Sequence, residues 1–122
     1  MKTALLLIAH GSRQEEANAD LHHVATGLRA RGQAIVEASF LELAEPGIEE
    51  AGVRCVAQEA ERVILVPYFL SAGVHVRRDL AEARAKLAER FPAVEFRLAE
   101  PLGQHPLLLD MVMERAREAG AQ

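Results

Sequence analysis

Short apolar runs alternate with amphipathic stretches along the chain. Ala4–Ala9 is continuously apolar, as a strand covered on both faces would be. Glu15–Arg31 follows with Ala17, Leu21, Val24, Ala25 and Leu28 at helical spacing, and Gly32 supplies a stop. Ala34–Leu41, with Ile35, Val36 and Phe40, predicts a second strand. Pro46 then opens a predicted helix to about Glu59, with Ile48, Ala51, Cys55 and Val56 inward. Val63–Tyr68 is rich in β-branched residues and predicts strand three, with Pro67 ending its ladder or lying at its edge. Phe69–Val76, containing Ser71, Ala72 and Gly73, is expected to be a loop. Arg77–Arg90 carries Leu80, Ala83 and Leu87, and then Phe91, on one helical face, and Pro92 stops it. Val94–Leu98 predicts a short fourth strand, Pro101–Gly103 a turn, and Pro106 the start of a last helix to about Ala119.

This β-α-β-α-β-α-β-α order with short connections predicts one α/β domain over residues 1–122. Its expected architecture is a four-stranded parallel sheet with helices on both faces and right-handed crossovers. Sheets of this kind bind ligands beyond the carboxyl ends of their strands. His10, Glu42 and the 69–76 loop all fall at that edge. The last helix carries Leu107, Leu108, Leu109, Met111, Val112 and Met113 nearly all round it. Such a helix must be buried all round, and a second copy of the chain is the simplest cover.

Composition narrows the classes. With 122 residues, half of them apolar and 26% charged, the chain can bury a real core in a soluble domain. A net charge of −4, four Phe, one Tyr and no Trp argue against nucleic-acid binding. A local basic patch can still take an anionic ligand. The apolar stretch near the N-terminus is too short to span a membrane and no cleavage pattern follows it, so a cytoplasmic location is expected. Cys55 is the only cysteine; beside Val53, Val56 and Ala57 it predicts a buried structural thiol.

The candidate chemistry lies at the strand tips. His10 and His75 each stand just past an apolar run and Glu42 ends another, at separations of 32 and 33 residues. On neighbouring parallel strands the two imidazoles and the carboxylate would meet at one sheet edge, as a metal site. A neutral imidazole can ligate a metal or take a proton near neutrality. In His10-Gly11-Ser12, Gly11 permits a sharp turn, and Ser12 or a neighbour can cap the following helix, whose N–H groups attract anions. Glu45, just before Pro46, reads as a helix-start carboxylate, which leaves Glu42 as the better candidate. Arg77 and Arg78 oppose the dipole of their helix; with Arg13 they could hold ligand carboxylates, or simply be solvated. Asp79 compensates that helix start. Phe69, Leu70 and Val74 form an apolar wall. His22 and His23 read as surface residues, and His105 as a structural or capping one. The Rossmann and Walker A glycine patterns are absent.

Leu5-Leu-Leu-Ile-Ala-His-Gly-Ser12, Phe40-Leu-Glu-Leu-Ala-Glu-Pro46 and Val66-Pro-Tyr-Phe-Leu-Ser-Ala-Gly-Val-His-Val-Arg-Arg-Asp79 resemble the small CbiX-type sirohydrochlorin chelatases, and Pro101-Leu-Gly-Gln-His-Pro106 fits their last turn. The likeness covers essentially the whole chain. It implies the class II chelatase fold and a lyase of the cobaltochelatase type. The reaction implied is insertion of a divalent metal, cobalt before iron or nickel, into sirohydrochlorin on the way to cobalamin or sirohaem. The metal is then a substrate, and no organic cofactor is implied. His10 and His75 match the family's active-site histidines, and Glu42 matches the metal-site carboxylate of related cobalt chelatases. Ser12, Arg13, Phe69, Leu70, Arg77 and Arg78 fall where the tetrapyrrole would bind. Longer relatives carry two such units in tandem, while single-unit forms pair as homodimers. Ala81 departs from the proline that many members have there.

Two other readings compete. A histidine phosphatase of the phosphoglycerate-mutase type also has a strand-end His-Gly, but Ala9 stands where those enzymes have arginine. A metal or tetrapyrrole carrier would share the site without turnover.

Overall fold

Strand β1 (Thr3–Ala9) lies inside the sheet because its neighbours claim both its edges. The computed structural model describes residues 1–120. It places β2 (Ile35–Phe40) on one side of β1 and β3 (Arg62–Pro67) on the other, with β4 (Glu95–Leu98) beyond β3, all parallel. Register pairs Ala9 with Phe40 and Ile8 with Pro67, so three strands end at nearly the same level. The predicted four-stranded sheet is therefore present, in the order β2-β1-β3-β4.

Alternate residues of each strand feed two apolar layers. On one face Ala4, Leu6, Ile8, Val63, Leu65 and Phe96 pack with Ala51 and Cys55 of α2 (Ile48–Ala57) and Leu80 and Leu87 of α3 (Val74–Arg90). On the other, Leu7, Val36, Ala38 and Phe40 pack with Leu21 and Ala25 of α1 (Glu15–Ala30). Burying each Val, Leu, Ile or Phe side chain among them contributes about 1.5–3 kcal/mol, which makes these layers the main source of stability. Gly52 lets α2 come close to α3: a Cβ there would meet Leu87 Cδ2 at 2.6 Å. Ser39, the only buried polar residue among the described residues, donates from Oγ to the Leu7 carbonyl (2.8 Å). Cys55 is fully buried, and burial pushes its thiol up to about 12, so it stays protonated and inert.

Three expectations change. Pro46 does not open α2; Gly47 occupies the N-cap and the helix begins at Ile48, because the chain first makes a bridge from Phe40 to Gly47. The predicted 69–76 loop is shorter, since α3 begins at Val74 behind Gly73 and takes His75 into its first turn. Ser12 does not cap α1: Gln14 holds that position without a side-chain cap, and Ser12 Oγ accepts from the Gln14 N–H instead (3.0 Å). His105 does cap α4 (Pro106–Glu118), its Nδ1 accepting from the Leu107 N–H (3.1 Å). Helix α4 buries none of its residues in the single chain, and Leu107, Leu109, Met111, Val112 and Met113 are each at least half exposed. No helix among the described residues is long and apolar enough to cross a membrane.

At the β3–β4 edge, Glu95 accepts from Arg62 Nε (2.8 Å) and Arg97 Nε (2.7 Å). These hydrogen bonds, the Arg62 one first, hold the carboxyl below its ordinary value. A lowered folded-state value stabilises the protein above the ordinary carboxylate range, and that contribution is lost as pH falls through the lowered value. Wild type should therefore melt modestly above Glu95→Gln at neutral pH. Thermal melts across a pH series should show the gap close on acidification; a gap that persists would show that Glu95 acts through packing.

Candidate active site

The hydrogen-bond ladder between β1 and β2 runs past the strands. Leu41 N–H donates to the Ala9 carbonyl (2.9 Å) and Glu42 N–H to the His10 carbonyl (3.1 Å). His10 and Glu42 are thereby fixed side by side at the carboxyl edge. Gly11 makes this possible: its φ is +95°, and a Cβ there would lie 1.8 Å from the Glu42 carbonyl oxygen. The other loops are tied down as well. Phe40 N–H donates to the Pro46 carbonyl (3.0 Å), Tyr68 N–H to Ile8 (2.7 Å) and Leu102 N–H to Phe69 (3.0 Å).

A cleft of about 430 Å³ opens on this edge between α2 and α3. His10, Phe40, Leu41 and Glu42 form its floor side, Ile48 and Glu49 come from α2, and Val76, Asp79, Glu82, Ala83 and Lys86 from α3. The His10 ring rests on Phe69 with centroids 4.5 Å apart. The acidic residues outnumber Lys86, a balance that favours a cation inside the cleft.

The remaining sequence candidates are spread around this centre. Ser12 and Arg13 line a second hollow with Glu15, Asn18, His22 and Glu45. Leu70 and Arg77 line another with Glu100. Arg77 is engaged there: Nε donates to the Ala72 carbonyl (3.2 Å) and Nη1 lies 3.4 Å from Glu100. Its guanidinium braces the turn before α3 against the tip of β4. His75 and Arg78 are exposed near the start of α3, and neither lines the central cleft. Among the described residues no three His, Cys, Asp or Glu side chains are grouped closely enough to hold a metal ion. Thus the chain brings together His10, Glu42 and Phe69, and leaves His75 outside that group. Sequence reasoning missed Asp79, Glu82 and Lys86 as cleft residues. Their signal was present, since Val76, Asp79, Ala83 and Lys86 follow one another at three- and four-residue steps on one helical face.

A parallel sheet with a His-bearing cleft beyond its strand tips defines an α/β ligand-binding fold. The CbiX family model matches residues 4–119, and the chain belongs to that family. It is 38% identical over 112 residues to the chloroplastic sirohydrochlorin ferrochelatase of Arabidopsis thaliana, covering 91% of this chain and 50% of that protein. It is 33% identical over 115 residues to the sirohydrochlorin cobaltochelatase of Sulfolobus acidocaldarius, covering 94% and 90%. The structure of SirB from Bacillus subtilis with Fe³⁺ superimposes with a TM-score of 0.88 at 32% identity, covering 100% of this chain and 49% of that one. The chain thus spans about half the length of the Arabidopsis and Bacillus relatives and nearly all of the Sulfolobus one.

Proposed function

We propose that this protein inserts a divalent metal, cobalt in the first place and iron or nickel as alternatives, into sirohydrochlorin, in the cytoplasm. The observation that carries the reading is His10, fixed beside Glu42 over a cleft and stacked on Phe69, in a chain of the CbiX family. Insertion requires that water leave the metal, that the macrocycle be held, and that pyrrole N–H protons be removed. Imidazole and carboxylate donors suit Co²⁺, Fe²⁺ and Ni²⁺. Glu42, with Asp79 and Glu82 in the same lining, draws the cation to the cleft, while Glu49 is paired with Arg90 (3.0 Å). His10 accepts a pyrrole proton or hands over the metal, and Phe69 offers an apolar face to the ring. His75 acts from the rim, on the first turn of α3. Arg13 and Arg78 meet the substrate's carboxylates outside the acidic cleft, and Ser12 and Leu70 contribute to the same substrate surface; Arg77 contributes by holding the turn. The test is the absorbance of sirohydrochlorin with each metal, with and without protein. Faster insertion with protein for at least one metal is expected, and rates equal to the protein-free ones for all three would end the proposal.

The same reading makes the active form a homodimer. The uncovered apolar surface of α4 supports a second copy of the chain. Sedimentation should give twice the chain mass of 13.3 kDa. Leu109→Asp with Val112→Asp should weaken pairing at least about tenfold, because two charges would be buried unpaired. A wild-type monomer at micromolar concentration would contradict this.

A further inference from the structure

The turn carrying His10 is held from behind by a side chain to which the chemistry assigns no part. Asn18, half-buried near the start of α1, accepts from the Ser12 N–H through Oδ1 (3.0 Å) and donates through Nδ2 to the Ser12 carbonyl (2.8 Å). These two bonds grip the peptide groups on either side of Ser12. From the front, the His10 carbonyl accepts from the Glu42 N–H, and Gly11 is pressed against the Glu42 carbonyl. The turn is therefore clamped between Asn18 and the tip of β2.

A primary amide supplies one donor and one acceptor on a short stem, which this two-point contact requires. Aspartate offers no donor, and alanine offers neither group. The amide is also not an ordinary helix cap. It reaches back to a residue before the helix and satisfies none of the free N–H groups of α1.

We infer that Asn18 is a positioning residue for His10: by fixing both peptide groups of Ser12 it sets the direction of the imidazole over the cleft. The inference rests on the proposal that His10 works on the tetrapyrrole. It assigns Asn18 no contact with the reacting atoms, so its removal should act on turnover rather than on substrate affinity.

The test uses Asn18→Ala and Asn18→Asp in the full chain, read in two ways. Amide hydrogen exchange of the peptide over residues 9–14 should speed up about tenfold in Asn18→Ala, the equivalent of roughly one lost hydrogen bond, with α2 and α3 unchanged. Metal insertion should lose about 10- to 100-fold in kcat while KM for sirohydrochlorin stays within about twofold, as small misplacements of a reacting group do. Asn18→Asp keeps the size and the acceptor, should fall between, and carries the test if the alanine variant fails to fold. Unchanged exchange would overturn the inference. So would faster exchange with wild-type kcat, or a raised KM at constant kcat, which would make Asn18 a substrate contact. A wild type without any insertion activity defeats the chelatase proposal, and the exchange measurement then decides the clamp by itself.

Discussion

His10→Ala should lower metal insertion by about 10²–10⁴-fold, the range lost when a positioned proton acceptor is removed. The fold should survive the change. His10 is exposed, its backbone bond to Glu42 does not involve the side chain, and its ring contact is with Phe69 alone among the described aromatic pairs. Loss of an aromatic contact costs about 0.5–1.5 kcal/mol, well below what unfolds a domain of this size. Insertion kinetics measured beside a thermal melt separate the two effects. Full activity in a folded His10→Ala protein would remove His10 from the site. A large fall in melting temperature would instead mean that the imidazole holds the turn together.

Gly11→Ala should be strongly destabilising for a change that adds a single methyl group. The new Cβ would lie 1.8 Å from a backbone oxygen, where no flexible side chain can give way, and the residue would keep a φ of +95°. Either the His10–Ser12 turn or the Glu42 loop must move. We expect a loss of about 2–4 kcal/mol in urea unfolding, combining backbone strain with the broken contact. Activity should fall with it, because the same shift parts His10 from Glu42. Gly27→Ala is the control: its position on α1 has open space, so the methyl should stabilise by about 0.5–1 kcal/mol. If the two substitutions behave alike, the close approach of Gly11 to Glu42 is not a feature of the folded protein.

The sequence is informative where periodicity and strand ends decide. The continuous run before His10 and the Ala34–Leu41 run before Glu42 read as neighbouring parallel strands, and their tips place His10 and Glu42 together. Spacing along the chain says less about direction. His75 is at the expected distance from Glu42 in sequence, yet it rides on the first turn of α3, because Gly73 starts the helix earlier than the apolar Val74-His75-Val76 triplet suggests. Pro46 fits a helix start by residue type, but the Phe40–Gly47 bridge takes that segment first. Asn18 looks like any polar residue on an exposed helical face. Only the folded turn shows that its amide spans Ser12. Tertiary contacts of this kind leave no period to read.

The most direct test is multiple turnover with a single metal. With Co²⁺ and sirohydrochlorin in large excess over protein, the absorbance change should run linearly far past one metal per chain, and faster than without protein. A signal that stops at one equivalent per site would make the protein a carrier, and a rate no greater than the protein-free rate would contradict the chelatase account.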